Sequence, residues 1–387
     1  MNIKEKDSAF IAHTYGRFPL VIKEGKGSVA YDENGKKYID MATGIAVNAF
    51  GYCDDEWAEA VTKQLSTLQH TSNLYYTEPC VNLAETLCNR TGMSKVFFSN
   101  SGAEANECAI KAARKYAKDK KGEDFFNILT LKNSFHGRTI TTLAATGQDT
   151  FHKDFLPLTP GFVYTEANNI ADLEDKVRNN KIAGIMFELV QGEGGVMPLK
   201  KDFVNKIFEL SSELDIVTIV DEVQTGNGRT GDLYAFMKYG IKPDVVTTAK
   251  GLGGGLPLGA TMLCEKLADI FTPGDHGSTF GGNPVCCAGA LSILNRIDDE
   301  LLKEVTAKSE YIVGELSSSS GVLSVDGLGL MLGVTTKRPV DEVVKECMEE
   351  GVLPIKAKQK LRLLPALNIP WDELKQAVKI IKTVCER

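Results

Sequence analysis

The chain has 387 residues, 43% of them hydrophobic and 25% charged, with a formal net charge of −7. That length can bury a large core and points to two structural lobes. The acidic balance, with no basic block, argues against nucleic acid as a partner, and the lack of a run of about 18 apolar residues argues against a membrane span.

The first residues, Met1-Asn2-Ile3-Lys4-Glu5-Lys6-Asp7, are too polar and acidic for a signal peptide, so a cytoplasmic protein is expected. Residues 1–50 read as an extended lead-in with turns. Within them, residues 31–40 carry a hairpin signal with Asn34-Gly35 as its turn. From about residue 57 helical and strand patterns alternate. Residues 95–98 read as a strand. Residues 103–116 read as a helix with Ala105, Cys108, Ala109, Ala112, Ala113 and Tyr116 on its apolar face. A strand at 127–131 follows, then a nearly continuous apolar run at 182–190, as in a strand covered on both faces. An amphipathic helix at 203–214 leads to a strand at 216–220. This alternation predicts an α/β fold: an open, mostly parallel sheet with helices on both faces. After Gly282-Asn283-Pro284 the texture changes to charged helices over 285–317, weaker strands near 322–335 and 361–364, and a terminal helix from about 371. That stretch reads as a second lobe. Nine scattered cysteines without a C-x-x-C pair read as reduced thiols, and five separated histidines lack metal-ligand spacing, so no metal site is expected.

Several segments carry chemistry. Lys250 stands at the mouth of Gly251-Leu252-Gly253-Gly254-Gly255, after an apolar approach. Burial there would depress the lysine pKa and supply the neutral amine needed to form a Schiff base. Asp221 ends the strand at 216–220, where ligands of α/β sheets bind. A carboxylate at that place can pair with a protonated ring nitrogen, with Gln224 close enough to reach a phenolic oxygen; a helix-capping acid is the plain alternative. Ser99-Asn100-Ser101-Gly102-Ala103-Glu104 joins a strand to a helix, which suits either a phosphate or an ordinary N-cap. In Phe135-His136-Gly137-Arg138 the ring could stack on a flat cofactor and Arg138 could clamp a carboxylate. Gly226-Asn227-Gly228-Arg229-Thr230-Gly231 spells G-x-G-x-x-G. It begins too far after its strand and lacks the acid about twenty residues on that a dinucleotide fold uses.

Together these segments resemble the class III (ω-amino acid) aminotransferases over essentially the whole chain. The resemblance includes Thr14-Tyr15-Gly16-Arg17-Phe18-Pro19, Gln191-Gly192-Glu193-Gly194-Gly195 and Gly277-Ser278-Thr279-Phe280-Gly281-Gly282-Asn283-Pro284. It implies a fold-type I transferase dependent on pyridoxal 5'-phosphate. Its large domain, residues 56–284, would hold a mostly parallel seven-stranded sheet. The smaller α+β domain would combine residues 1–55 and 285–387. It further implies Lys250 as the Schiff-base lysine, Asp221 at the pyridine nitrogen, and cofactor contacts from Ser101, Gly102, Ala103, Phe135, Val223 and Gln224. Thr279 would reach the phosphate held by a neighbouring subunit, in a homodimer with shared sites. Arg138 and Ser278 would meet the substrate carboxylate, and Glu193 would mask Arg362 until glutamate needs it. The implied substrates are N-acetylornithine and 2-oxoglutarate or glutamate, reacting in ping-pong order. Other ω-amines (4-aminobutyrate, ornithine, succinylornithine, succinyldiaminopimelate) and a non-catalytic cofactor-binding protein are the alternatives. The chain departs from the family at Leu189, where a proline usually follows the acid, and at Tyr52, where a histidine usually follows Gly51.

Overall fold

The computed structural model describes residues 1–387. Its centre is a seven-stranded sheet of β1 (Lys95–Ser99), β2 (Asn127–Leu131), β3 (Phe162–Thr165), β4 (Ile182–Phe187), β5 (Val217–Asp221), β6 (Val245–Thr248) and β7 (Gly259–Leu263). Across the sheet the order is β1-β7-β6-β5-β4-β2-β3. The pairs from β6 to β3 are all parallel, while β7 runs antiparallel to both β6 and β1. The expected seven-stranded, mostly parallel α/β sheet is present.

Strand periodicity explains how both faces are filled. Ile128, Met186, Ile219 and Val245 point to one side, where they meet the small-residue face of α1 (Gly102–Lys121), built from Ala109, Ala112 and Ala113. Their neighbours Leu129, Ile185, Val220 and Val246 point to the other side, against Phe203, Val204, Ile207 and Leu210 of α2 (Lys201–Leu214). All six residues of β4 are buried, as a strand covered on both faces requires. Each large aliphatic side chain buried this way contributes about 1.5–3 kcal/mol.

The second lobe carries a four-stranded antiparallel sheet of Val322–Leu328, Met331–Thr336, Lys360–Leu363 and Ile355–Ala357. A further sheet unites both ends of the chain. Ile22–Lys26, Val29–Asp32 and Lys37–Asp40 form antiparallel pairs, and Val352–Leu353 adds in parallel beside Lys37–Asp40. The expected hairpin at 31–40 is therefore part of a sheet closed by the C-terminal lobe.

Two expectations need correction. Residues 1–50 are not only extended: Ile3–Phe10 is a helix, started by a capping box in which Asn2 and Glu5 satisfy each other's backbone N–H groups. The run 182–190 is not one strand. β4 stops at Phe187, and Val190–Gln191 pairs separately with Met197–Pro198. The break falls at Glu188, a buried acid that needs hydrogen-bond donors a sheet face cannot supply. Sequence reading also passed over β3 and the antiparallel β7.

Candidate active site

A cleft of about 500 Å³ opens beyond the carboxyl ends of β5 and β6, and Ser101, Gly102, Ala103, Phe135, Arg138, Asp221, Val223, Gln224 and Lys250 all line it. Nine residues from four separated segments of the sequence thus converge on one site. Parallel strands that end together make this the natural place for it.

Asp221 is the last residue of β5 and is 4% exposed. Its carboxylate is held firmly. Oδ2 accepts from Asn106 Nδ2 at 2.8 Å and lies 2.8 Å from His136 Nδ1, and Oδ1 accepts from the Val223 N–H at 3.0 Å. Asn106 is itself fixed, donating to the His136 carbonyl and accepting from Thr247 Oγ1 at 2.7 Å. A buried acid with this many oriented partners is a directed charge rather than a helix cap.

The N-terminus of α1 faces the same cleft. Ser101 caps the helix by accepting from the Glu104 N–H, and Glu104 reaches back to the Asn100 N–H at 3.0 Å. The first N–H groups, at Gly102 and Ala103, have no partner within the helix and line the cleft. A Cβ on Gly102 would come within 2.7 Å of Val223 Cγ1, so this close approach requires glycine. Ser101 is an N-cap, and that role leaves the N–H groups beyond it free to meet an anion.

Lys250 leads into the glycine loop with φ +47, a left-handed conformation costly for a side chain with a Cβ. The loop imposes it, and Lys250 lines the cleft beside Asp221 at the β5 end. Burial holds the ammonium below the usual lysine range; Glu193 and Asp221 work against this and Arg362 adds to it.

Arg362 is 2% exposed and lies on an interior strand of the second lobe's sheet, paired with Gly333 on one side and Ile355 on the other. Its Nη1 donates to Glu193 Oε1 at 2.6 Å and to Gln224 Oε1 at 3.2 Å, while its Nε has no partner. Burial alone would raise the Glu193 carboxyl, but Arg362, with Lys250 and Gln224, outweighs it and the net direction is down. Arg138, by contrast, is exposed. Its guanidinium lies 4.4 Å from the centre of the Phe151 ring and 5.5 Å from that of Phe135. No carboxylate within the chain claims it.

Ser278 and Thr279 lie elsewhere. Ser278 Oγ accepts from Asn100 Nδ2 at 3.1 Å, one residue from the capping serine. Thr279 lines a separate hollow with His70, Tyr75, Tyr76 and Cys80, and does not line the Lys250 cleft. The G-x-G-x-x-G stretch is a packing loop. Arg229 is buried and donates to the carbonyls of Leu330 and Pro365, joining this loop to the second lobe.

These residues fit pyridoxal phosphate. Free N–H groups at a helix N-terminus suit its phosphate, the anchored Asp221 carboxylate suits its ring nitrogen, and an amine of lowered basicity suits its aldehyde. Three residues escaped assignment from the sequence: Asn106, His136 and Glu188. His136 and Glu188 are both buried, and burial pushes the Glu188 carboxyl up to about 7, with Asp221 adding to the shift and His136 opposing it. Only Glu188, directly after β4, stood at a strand end that could have signalled it.

Residues 10–385 match the family described as Aminotransferase class-III. An acetylornithine aminotransferase of Haemophilus ducreyi is 47% identical over 384 residues, covering 99% of this chain and 98% of that one. Among solved structures, the N-acetylornithine aminotransferase of Stenotrophomonas maltophilia superposes with a TM-score of 0.84 at 33% identity, covering 96% of each chain. The ornithine aminotransferase of Toxoplasma gondii superposes with a TM-score of 0.94 at 30% identity, over 99% of this chain and 93% of the other. With a carboxylate, a lysine and a helix N-terminus gathered in one cleft, and with a family match spanning nearly every residue, this chain belongs to the class III aminotransferases.

Proposed function

We propose that this chain transfers the δ-amino group of N2-acetyl-L-ornithine to 2-oxoglutarate, giving N-acetyl-L-glutamate 5-semialdehyde and L-glutamate, as a step of arginine biosynthesis. The observation that carries this reading is the pair of arginines in different states. Arg138 is open at the cleft, whereas Arg362 is masked by Glu193 at 2.6 Å. An enzyme that takes a distal amine from one substrate and an α-amine from the other needs one carboxylate site always available and one that can be hidden.

Pyridoxal phosphate, when bound, supplies an aldehyde that captures the amine and a ring that accepts the electron pair left when a C–H proton departs. The chain's residues do the rest. Ser101, Gly102 and Ala103 would hold the phosphate, Phe135 and Val223 would contact the ring, and Asp221 would keep the ring nitrogen protonated. Lys250 would hold the cofactor through its amine, and that amine, when free, would carry a proton to and from the reacting carbon. Its lowered basicity places more of it in the neutral form that can do so. Arg138 fixes the substrate α-carboxylate, so that the far end of the chain meets the lysine. Gln224 lies between the ring site and Arg362, to which it is bonded. When glutamate or 2-oxoglutarate enters, Glu193 swings away and Arg362 takes the carboxylate.

The working unit in this reading is a cytoplasmic homodimer with a small domain of residues 1–55 and 285–387 and a large domain of residues 56–284. Thr279 serves the phosphate site of the other subunit. The exposed apolar cluster of Leu74, Tyr75, Tyr76 and Phe280 around Thr279 supports a covered surface there. The similarity to an ornithine aminotransferase favours free ornithine as the second reading. A donor panel with 2-oxoglutarate as acceptor separates the two. Acetylornithine is expected to exceed ornithine and 4-aminobutyrate in kcat/KM by roughly tenfold or more. A panel in which either rival leads would overturn the assignment.

A further inference from the structure

Glu188 is a buried carboxylate at the broken end of β4, and none of the roles above uses it. Its two oxygens face two different loops. Oε2 accepts from the Phe135 N–H at 3.0 Å, and Oε1 accepts from the Gly192 N–H at 3.3 Å. The first loop carries Phe135 and Arg138; the second carries Glu193, the residue after Gly192. The same loops touch again nearby. Gln191 Nε2 donates to the Lys132 carbonyl at 2.9 Å, and a Cβ on Gly194 would come within 2.7 Å of the Asn133 carbonyl. On its other side the second loop is tight against Gln224, which a Cβ on Gly192 would approach to 2.6 Å. One carboxylate therefore stands between the loop that holds the open arginine and the loop that masks the buried one.

We propose that Glu188 is a positioning residue that couples these two loops, setting Arg138 and Glu193 in register so that the carboxylate sites for the two substrates are not independent. Two acceptor oxygens are required because both neighbours are backbone donors. A glutamine of the same shape offers one oxygen and turns an N–H toward the second donor, which breaks one link without emptying the space. His136, Asp221, Lys250 and the Glu193–Arg362 pair are the charged or titratable groups around it.

The experiment compares the full chain with Glu188→Gln and Glu188→Asp in two ways. Hydrogen–deuterium exchange on the cofactor-free protein follows residues 132–138 and 191–195. Steady-state kinetics follow the two half-reactions. In Glu188→Gln, one loop is expected to exchange about tenfold faster, and KM for both substrates to rise together by about tenfold with kcat much less affected. Glu188→Asp, which keeps two acceptors, should recover part of both. If exchange in both loops is unchanged, or if kcat alone falls while KM and the preference between amines stay fixed, Glu188 is merely structural and the coupling is refuted. The kinetic arm rests on the aminotransfer reading but the exchange arm does not. Loosened loops in a protein that turns over no ω-amine would leave the coupling standing and remove the assigned substrates.

Discussion

Arg362 shows how one residue can be both costly and useful. A guanidinium held at 2% exposure depends on its partners, and it has only Glu193 and Gln224, with Nε left unmatched. Removing one member of a buried pair costs about 3–5 kcal/mol when the other charge stays buried. An incoming carboxylate can repay that cost by replacing Glu193, which is what an exchange of partners requires. Glu193→Ala is therefore expected to leave Arg362 permanently available. Turnover of the ω-amine should fall by roughly tenfold relative to glutamate, because a competing carboxylate mode is no longer masked. Separate single-turnover measurements of the two half-reactions check this. An unchanged ratio between the donors would mean that Glu193 is not a mask.

Between residue and lobe lie the strand ends, where two adjacent acids follow different physics. Asp221 is turned to the cleft, while Glu222 is turned inward and fully buried. Its Oε1 accepts from the Phe236 N–H at 2.7 Å, near the start of the helix Ala235–Tyr239, whose own N-cap residue, Tyr234, makes no side-chain cap bond. Burial pushes the Glu222 carboxyl from 4.5 up to about 7. The sign follows directly: between these values the folded chain holds a proton that the unfolded chain has lost, so stability falls as pH rises through this window. Glu222→Gln keeps an acceptor for Phe236 and removes the titration. Denaturant unfolding from pH 5 to pH 8 should show a flatter profile for the variant, with a relative gain of at most about 3 kcal/mol at the upper end. Parallel profiles would place the titration elsewhere. The two acids also mark how far a sequence can be read. Asp221 was legible because a short apolar run delivers it to a strand end. The helix face at 103–116 was legible because its period is strong. Glu188 was not, because the apolar run 182–190 hides a break that only its hydrogen-bond needs create. The antiparallel β7 was missed because Gly259-Ala260-Thr261-Met262-Leu263, buried on both faces, has no alternation to announce it.

At the scale of the molecule, the position of Thr279 is the feature that a single chain does not explain. The Lys250 cleft is lined by residues at the strand ends and loops of the large sheet, yet Thr279 lies in another hollow beside exposed aromatic side chains. If a second copy covers that surface, each site takes Lys250 from one subunit and Thr279 from the other. Complementation then follows from symmetry. Lys250→Ala alone is expected to abolish turnover, and Thr279→Ala alone to weaken cofactor retention by about tenfold, through loss of a hydrogen bond to a charged group. In dimers re-formed from an equal mixture of the two variants, half should be hybrids. Each hybrid holds one site with both defects and one site with none, so about a quarter of all sites regain wild-type behaviour at limiting cofactor. A site built wholly within one chain gives the opposite result. Every lysine-bearing site would then carry the threonine defect, and mixing would produce no gain. Measuring activity against the mixing ratio at cofactor concentrations too low to saturate Thr279→Ala distinguishes the two: a maximum near equal proportions requires exchange of Thr279 between subunits, and a straight line between the parents excludes it.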